Sequence, residues 1–318
     1  MVETRTQSTG EDPVFVCGAL RSGTTLLRLM IDAHPQLSNP GEMDFLFEPP
    51  LDGDGVPDMA RYAHELSFNR VFKKCGLKLA EGLSHAEQVR AFVEQLAVPG
   101  KKLSINIHRH FDRVPAIFPG AKFVHLLRDP RDVAKSSIGM GWAGNVYCGV
   151  DHWIDSEKSF EALETRIGAD RVFTLKNEDL IRGPQESLAR LCAFLGVAYD
   201  SRMLDYPAHT TYSLPDPKLV EQWRANQSDR EIALVEGKLG SMLTARGYAP
   251  SGVAPVSPGA MARIGLRQGN RLGRLKFSAD RYGLILTVAQ ILSRRLPFDA
   301  ARSWVRRKVA EREAQFLK

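Results

Sequence analysis

The sequence predicts an α/β fold: a parallel β-sheet flanked by helices on both faces, with a helical C-terminal extension. Three observations predict this fold. Short β-branched apolar runs alternate with longer segments of helical periodicity, the first run enters a helix through a glycine-rich loop, and a proline-rich linker at residues 251–259 precedes a basic segment. Strands that alternate with helices pair in parallel, because each helix carries the chain back along a face of the sheet.

Three strand–helix units make up the predicted sheet. The first strand is predicted at residues 13–18, and the helix after it at residues 22–34, where Pro35 ends the apolar periodicity. The second unit has a strand at residues 121–127 and a helix that begins at Asp132. A third strand is predicted at residues 171–175, and the helix over residues 183–196 has proline near its start and glycine after its end.

Further helices are predicted between and after these units. Residues 58–74 and 85–96 show helical periodicity before the second strand, and residues 228–246 show it after the third unit, up to Gly247. Within the extension, residues 282–292 and 300–312 are predicted as basic amphipathic helices. We therefore predict a core domain over residues 1–250 and a basic extension over residues 251–318.

The composition is that of a globular protein. Charged residues form 25% and hydrophobic residues 43% of the 318 residues, which is unlike a disordered or membrane-spanning chain. No apolar run approaches the roughly 20 residues that cross a bilayer, and the polar start lacks the apolar stretch of a signal peptide, so we expect a cytoplasmic location. The four cysteines have neither zinc-ligand spacing nor the density of a disulfide framework.

The net charge of +6 is concentrated in the extension. Residues 251–318 carry fourteen Lys and Arg against four Asp and Glu, which leaves about −4 for residues 1–250. Because the core has no excess of basic residues, the sequence argues against a nucleic-acid-binding protein. For the extension, a solvated helical tail is preferred over a peripheral contact with an anionic membrane, an acidic partner protein or a second copy.

The loop after the first strand has the features of a phosphate site. Gly18 and Gly23 let the backbone approach an anion, and the following helix N-terminus supplies amide donors. The spacing is P-loop-like, except that Thr24 replaces the lysine that reaches the β and γ phosphates of ATP. This replacement argues against ATP hydrolysis. A glycine-rich turn without a ligand is the alternative interpretation.

The run Arg21-Ser22-Gly23-Thr24-Thr25 resembles the 5'-phosphosulfate loop of sulfotransferases that use 3'-phosphoadenosine-5'-phosphosulfate (PAPS), closest in form to the bacterial and protein-tyrosyl branches. The similarity covers most of residues 13–250, with Asn177 where related proteins often have tyrosine. The resemblance implies that PAPS is the co-substrate, and it implies the binding residues Arg21, Ser22, Gly23, Thr24, Thr25 and Leu26 for the 5'-phosphosulfate, with Arg128 and Ser136 for the 3'-phosphate.

The resemblance also implies the residues that carry the chemistry. Sulfuryl transfer needs a base for the acceptor proton and cations for the departing phosphate. Glu42 is similar in place to the glutamate base of the tyrosyl-type branch, Arg21 is the cation of the loop itself, and Lys102 is a further candidate cation. His108 replaces Glu42 if the base is a histidine, as in the cytosolic branch, and Asp44 is another alternative. No metal is expected.

The implied reaction transfers a sulfuryl group from PAPS to a hydroxyl or amine and releases adenosine 3',5'-bisphosphate. The acceptor can be a small molecule, a carbohydrate, a lipid, a polyketide or a peptide tyrosine, since inserted helices and loops such as residues 139–149 would select it.

Two other functions are alternatives to sulfuryl transfer. A P-loop nucleotide kinase-like phosphotransferase would need a cation in place of Thr24, and a non-enzymatic binding protein would act through the extension.

Overall fold

In the computed structural model, parallel strands form one sheet in the order β2-β3-β1-β4-β5. The structure describes residues 12–293, 304–305, 307–309 and 312. The strands of this part of the chain are β1 (Val14–Cys17), β2 (Leu37–Ser38), β3 (Lys102–Ile107), β4 (Lys122–Leu127) and β5 (Val172–Lys176). The register places Cys17 of β1 beside Ile107 of β3 and His125 of β4. The predicted parallel sheet is confirmed.

Helices connect and follow these strands. They are α1 (Thr24–Asp32), α2 (Met59–Leu66), α3 (Arg70–Lys74), α4 (His85–Leu96), α5 (Val114–Ile117), α6 (Pro130–Gly139), α7 (Val146–Gly149), α8 (Asp151–Glu164), α9 (Asn177–Arg182), α10 (Pro184–Leu195), α11 (Trp223–Asn226), α12 (Asp229–Leu239), α13 (Met242–Ala245), α14 (Ala260–Tyr282) and α15 (Leu284–Ser293). Among the described residues, no helix is both long and apolar enough to cross a membrane. The expected cellular location stays a prediction.

The central strand β1 contributes to two hydrophobic clusters, one on each face of the sheet. Phe15 and Cys17 belong to a cluster with side chains of α2, α4 and α8, whereas Val14 and Val16 belong to a cluster with side chains of α1 and α10. Burial on both faces explains why β1 is apolar throughout rather than alternating with polar residues. This double coverage confirms the predicted architecture and leaves the ends of the strands as the place for a site.

Several predicted boundaries shift, each for a local reason. The single helix expected over residues 58–74 is two helices, because the Asn69 side chain accepts from the Phe72 N–H and begins α3. The helix expected over residues 228–246 ends earlier, where Gly240 has a φ of 55°. The helix after β4 begins two residues before Asp132, because the Asp129 side chain caps it.

The extension contains more helix than predicted. The 23-residue α14 covers residues that follow the linker and were assigned to no element, and α15 matches the helix expected over residues 282–292. The helix expected over residues 300–312 lies largely outside the described residues.

The chain groups into two compact units, of which one is Met1–Arg128 with Trp153–Val220 and the other is Asp129–His152 with Glu221–Lys318. The first unit holds the sheet. In the second unit Arg131 is buried, with ion pairs to Asp129 at 2.6 Å and to Glu236 at 2.7 Å. Its guanidinium also lies 3.7 Å from the centroid of the Trp223 ring. The domain boundary expected at residue 250 stays a prediction.

Candidate active site

The carboxyl ends of β3, β1 and β4 meet at one edge of the sheet, where ligands of open parallel sheets bind. The glycine-rich loop follows β1 at this edge. His108 follows the last residue of β3, and Arg128 follows the last residue of β4. Because β1 lies between β3 and β4, His108 and Arg128 stand on opposite sides of the loop.

Close packing fixes the conformation of the loop. Arg21 has a φ of 75°, a left-handed value that is unusual for a residue with a side chain. Gly23 has a φ of 93° at the N-cap of α1, and a Cβ atom at this position would overlap Asn177 Oδ1. A Cβ atom at Gly18 would lie 2.6 Å from the carbonyl oxygen of Leu126. The loop therefore needs glycine at both positions, and Arg21 is held in a strained backbone conformation.

Two polar atoms at the loop have no hydrogen-bond partner among the residues that the structure describes. Ser22 is fully buried and its hydroxyl oxygen is unpaired within this part of the chain, as is Oδ1 of the buried Asn177. A buried polar group without a partner costs about 1–3 kcal/mol, so such groups are rare in folded proteins unless a ligand completes them. The Ser22 hydroxyl can donate to an anion bound at the amino end of α1.

Two arginines share the space beside the loop. Arg128 Nη1 donates to the Arg21 carbonyl oxygen at 2.9 Å. Partial burial and then the positive charge of Arg128 lower the pKa of Arg21, while Glu42 acts in the opposite direction. Adjacent like charges repel, and an anion beside them relieves that repulsion. The arginines, the buried hydroxyl and the helix N-terminus together fit a phosphate or phosphosulfate group.

A histidine cluster lies on the other side of the loop. The buried His108 donates from its backbone N–H to Asp44 Oδ1 at 2.7 Å, and its ring Nδ1 lies 2.8 Å from Asp44 Oδ2. With Nδ1–H directed to Asp44, the ring presents Nε2 to Thr24 Oγ1 at 3.2 Å. Glu42 Oε1 lies 3.9 Å from the same Nε2. His108 therefore joins the first turn of α1 to both carboxylates.

The pKa values within this cluster are coupled. Burial lowers the pKa of His108, but the hydrogen bond and charge of Asp44, with the charge of Glu42, outweigh it, so that the net pKa is raised. Burial raises the pKa of Asp44, and the interactions with His108 reverse this effect and lower the net pKa. The pair therefore favours a cationic imidazole beside an ionised Asp44. Glu42, whose side chain is 45% exposed, is the more accessible carboxylate.

Asn106 of β3 places Glu42 beside the loop. Its backbone N–H donates to the Gly41 carbonyl at 3.1 Å, and its carbonyl accepts from the Met43 N–H at 2.8 Å. Its side-chain amide donates to the Thr24 carbonyl at 3.0 Å. Asn106 was not among the residues predicted from the sequence. The available signal was the alternation of Ser104 and Asn106 within an otherwise apolar run, which indicates polar side chains along one face of a strand.

The structure does not bring Lys102 to this site, and the expectation for it is wrong. Lys102 begins β3, and its ammonium group donates to the Leu195 carbonyl at 3.0 Å. Lys102 and Ile107 are five positions apart along the strand, which corresponds to roughly 16 Å. His110 also points elsewhere, with Nε2 at 3.8 Å from Glu48. Of the expected chemical groups, Glu42, Arg21 and His108 come together.

The remaining predicted donor residues lie at the start of α1 and within α6. Thr25 and Leu26 lie in the first turn of α1. The buried Trp153 donates from Nε1 to the Arg128 carbonyl at 3.0 Å, which holds the chain where it leaves β4. Ser136 lies in α6, partly buried, and belongs to the second compact unit. The role expected for Ser136 stays a prediction.

Comparison with known proteins finds sulfotransferases among the relatives of this chain. The profile of the sulfotransferase family matches residues 13–201. Protein-tyrosine sulfotransferase 2 of Gallus gallus is 26% identical over 215 residues, which covers 61% of this chain and 53% of that protein. Omega-hydroxy-beta-dihydromenaquinone-9 sulfotransferase Stf3 of Mycobacterium bovis is 29% identical over 127 residues, 34% of this chain and 33% of that protein. The chain thus matches about half or less of the length of these relatives.

A solved structure shares the fold. The sulfotransferase domain from the Synechococcus PCC 7002 olefin synthase superposes with a TM-score of 0.55 at 23% sequence identity, covering 73% of this chain and 96% of that domain. At this level of sequence identity, the comparison shows a shared fold and no more.

Proposed function

This chain belongs to the sulfotransferase family, and from that membership we propose that it transfers a sulfuryl group from PAPS to a hydroxyl group of an acceptor, with release of adenosine 3',5'-bisphosphate. One observation carries the proposal: two adjacent arginines, Arg21 and Arg128, meet at a glycine loop that contains the buried Ser22 hydroxyl, for which the described part of the chain offers no hydrogen-bond partner. PAPS carries phosphate groups on both sides of its nucleoside, so its site needs several groups that bind anions. The arginines and the loop provide such groups at the carboxyl ends of neighbouring strands.

The donor residues follow from the motif and the loop. The 5'-phosphosulfate would bind Arg21, Ser22, Gly23, Thr24, Thr25 and Leu26 through loop amides and hydroxyls, and the 3'-phosphate would bind Arg128 and Ser136. A kinase-like reaction would need a cation at Thr24 that reaches the terminal phosphate. Position 24 carries a neutral threonine instead of the lysine of such enzymes, which favours sulfuryl transfer over phosphoryl transfer.

We assign the base to Glu42. The raised pKa of His108 favours an imidazolium, which donates a proton more readily than it accepts one. In the proposed step the acceptor proton passes to Glu42 while the acceptor oxygen forms a bond to sulfur. The bond between sulfur and the bridging phosphate oxygen breaks, and its electron pair stays on the phosphate beside Arg21. In this proposal, His108 Nε2–H would hydrogen-bond a sulfuryl oxygen.

A hydroxyl acceptor is favoured by the names of two relatives. One relative is named for protein tyrosine and the other for an omega-hydroxy menaquinone derivative, both of which carry a hydroxyl group. Both reactions need a base of the kind that Glu42 provides. Residues outside the donor loop would select which kind of hydroxyl compound binds.

Calorimetric titration with adenosine 3',5'-bisphosphate and, separately, with ATP tests the donor. We expect tighter binding of the bisphosphate. In Arg128→Ala this affinity should fall by about 10- to 100-fold, as the loss of charge-assisted phosphate contacts implies. Arg70→Ala, at an exposed arginine on α3, is the matched control and should bind like the wild type. Tighter binding of ATP, or no binding of either nucleotide, would contradict the proposal.

Transfer of radiolabelled sulfuryl from PAPS to phenolic and aliphatic alcohols tests the base. Glu42→Gln should lower the turnover rate by about 10²- to 10⁴-fold with nucleotide affinity unchanged. His108→Asn, tested in parallel, should lower turnover less, because it leaves the base in place. The opposite order of the two variants would assign the base to His108.

A further inference from the structure

The outward face of α14 is defined by how the helix packs within its unit. The Asn270 side chain accepts from the Gly144 N–H at 2.6 Å, and the Leu266 carbonyl accepts from the Asn145 side chain at 2.7 Å. A Cβ atom at Gly273 would lie 2.6 Å from Gly144 Cα. Positions 266, 270 and 273 follow helical spacing, so one side of α14 packs and the opposite side is exposed.

The exposed side of α14 combines apolar and basic rows. Met261 is 81% and Leu272 is 67% exposed. At about 100° per residue these side chains fall on one stripe, which we call the apolar stripe; its members are Met261, Ile264, Leu272 and Leu275. A row of arginines runs directly beside it at i, i+4, i+8 and i+11: Arg263, Arg267, Arg271 and Arg274, all exposed.

Helix α15 continues the exposed apolar surface. Ile285 is 89% exposed, and Leu284, Val288 and Leu292 are also exposed. Leu284 and Ile285 line an open cavity of about 590 Å³ together with the half-exposed Trp304. Isolated exposed apolar residues are normal on a protein surface, but a set of this size on two consecutive helices indicates an interaction site.

The charge beside this surface indicates its occupant. Residues 260–293 carry six Lys and Arg and a single Asp. A basic row along an apolar stripe is the pattern of helices that lie in the interface of an anionic membrane. A symmetric contact with a second copy would bring two rows of arginines together, which like-charge repulsion opposes. We infer that α14 and α15 bind the surface of an anionic lipid bilayer, with the apolar residues inserted and the arginines at the headgroups.

Co-sedimentation of the full chain with vesicles tests this inference. Vesicles of phosphatidylcholine with about 30% phosphatidylglycerol should bind the protein, phosphatidylcholine alone should bind it weakly, and high salt should release it. Reversing three charges in Arg267→Glu/Arg271→Glu/Arg274→Glu should lower the partition coefficient by at least about 100-fold, since each basic residue that is lost contributes about fivefold and each added glutamate is repelled by the anionic surface. Replacing exposed side chains should leave the circular dichroism spectrum and the unfolding midpoint unchanged.

Two further variants separate the sources of binding. Leu272→Ser/Ile285→Ser keeps the charge and removes inserted surface, so it should weaken binding by about tenfold or more. Arg70→Glu/Lys73→Glu/Lys74→Glu makes the same change in net charge at exposed residues of α3 and should bind like the wild type. Equal binding to both kinds of vesicle would overturn the inference. So would a loss of vesicle binding in the α3 variant as large as that in the α14 variant. A dimer in light scattering that requires Leu272 and Ile285, without vesicle binding, would overturn it as well.

Discussion

Replacing Asp44 by asparagine tests the electrostatics of the candidate site. Asp44 holds His108 through two hydrogen bonds, at 2.7 Å to the backbone N–H and 2.8 Å to the ring. Asparagine keeps the shape and one acceptor oxygen but removes the negative charge. Burial lowers the pKa of His108, and without the charge of Asp44 less remains to raise it. The pKa of His108 should therefore fall.

The size of the change follows from the contact that is lost. A hydrogen bond to a charged group contributes about 1.5–3 kcal/mol. In Asp44→Asn we therefore expect the pKa of His108 to fall, because the charge and hydrogen bond that oppose the effect of burial are removed or weakened. The free energy of unfolding should decrease by about 2 kcal/mol at pH 6.

The pH dependence of this loss has a definite sign. The raised pKa of His108 stabilises the fold below the reference value of 6.5, and this contribution disappears as the pH rises through the folded-state pKa. The lowered pKa of Asp44 stabilises the fold above the reference value of 3.8, and this contribution disappears as the pH falls through the folded-state pKa. The difference in stability between wild type and Asp44→Asn should thus be largest between pH 3.8 and pH 6.5.

Two measurements check this reasoning. An NMR titration of the His108 ring gives its pKa in both proteins, and urea unfolding at pH 6 and pH 9 gives the difference in stability. His125→Gln, which removes another buried histidine, serves as a control because it should leave the pKa of His108 in place. An unchanged pKa of His108 in Asp44→Asn, or a stability difference of equal size at both pH values, would refute the reasoning.

Three further predictions concern the loop and the second unit. Gly23→Ala should destabilise the protein by at least about 2 kcal/mol, because alanine is strained at a φ of 93° and its Cβ would overlap Asn177; an unchanged melting temperature would argue against this packing. Ser22→Ala should change the free energy of unfolding by less than about 1 kcal/mol, because no described residue bonds its hydroxyl, yet it should weaken bisphosphate binding in calorimetry; unaltered affinity would remove Ser22 from the site. Arg131→Ala should cost about 3–5 kcal/mol in urea unfolding, because Glu236 and a second carboxylate stay buried without their cation, whereas a cost below about 1 kcal/mol would contradict that account.

Local patterns explain what the sequence predicted correctly. The strands β1, β4 and β5 are apolar runs bounded by glycine, proline or charged residues, and the loop after β1 is defined by Gly18 and Gly23 within six residues. These features depend on short-range stereochemistry. Arg21, Glu42 and His108 were selected from motifs and neighbouring residues, and the fold brings them to one edge of the sheet.

Long-range pairing explains what the sequence did not predict. Lys102 was misplaced because the direction and register of β3 against β1 decide which end of the strand faces the loop. The bonds between His108 and Asp44 join residues 64 positions apart, a separation that no local pattern encodes. In α14, Gly269 and Gly273 lower the intrinsic helix propensity, yet the absence of a side chain at Gly273 permits the close approach to Gly144 that stabilises the helix.

The hydrogen bonds of Asn106 have a consequence for how this region opens. The residue bonds the backbone on both sides of Glu42 and, through its amide, the first turn of α1. Exposing the Glu42 segment to solvent therefore also releases the start of α1, and the two should exchange their amide hydrogens as a single cooperative unit. A nucleotide that binds the loop would then slow exchange at Met43 as well, although it need not contact that residue. By this linkage, occupancy of the donor loop would hold the base in position before any acceptor arrives.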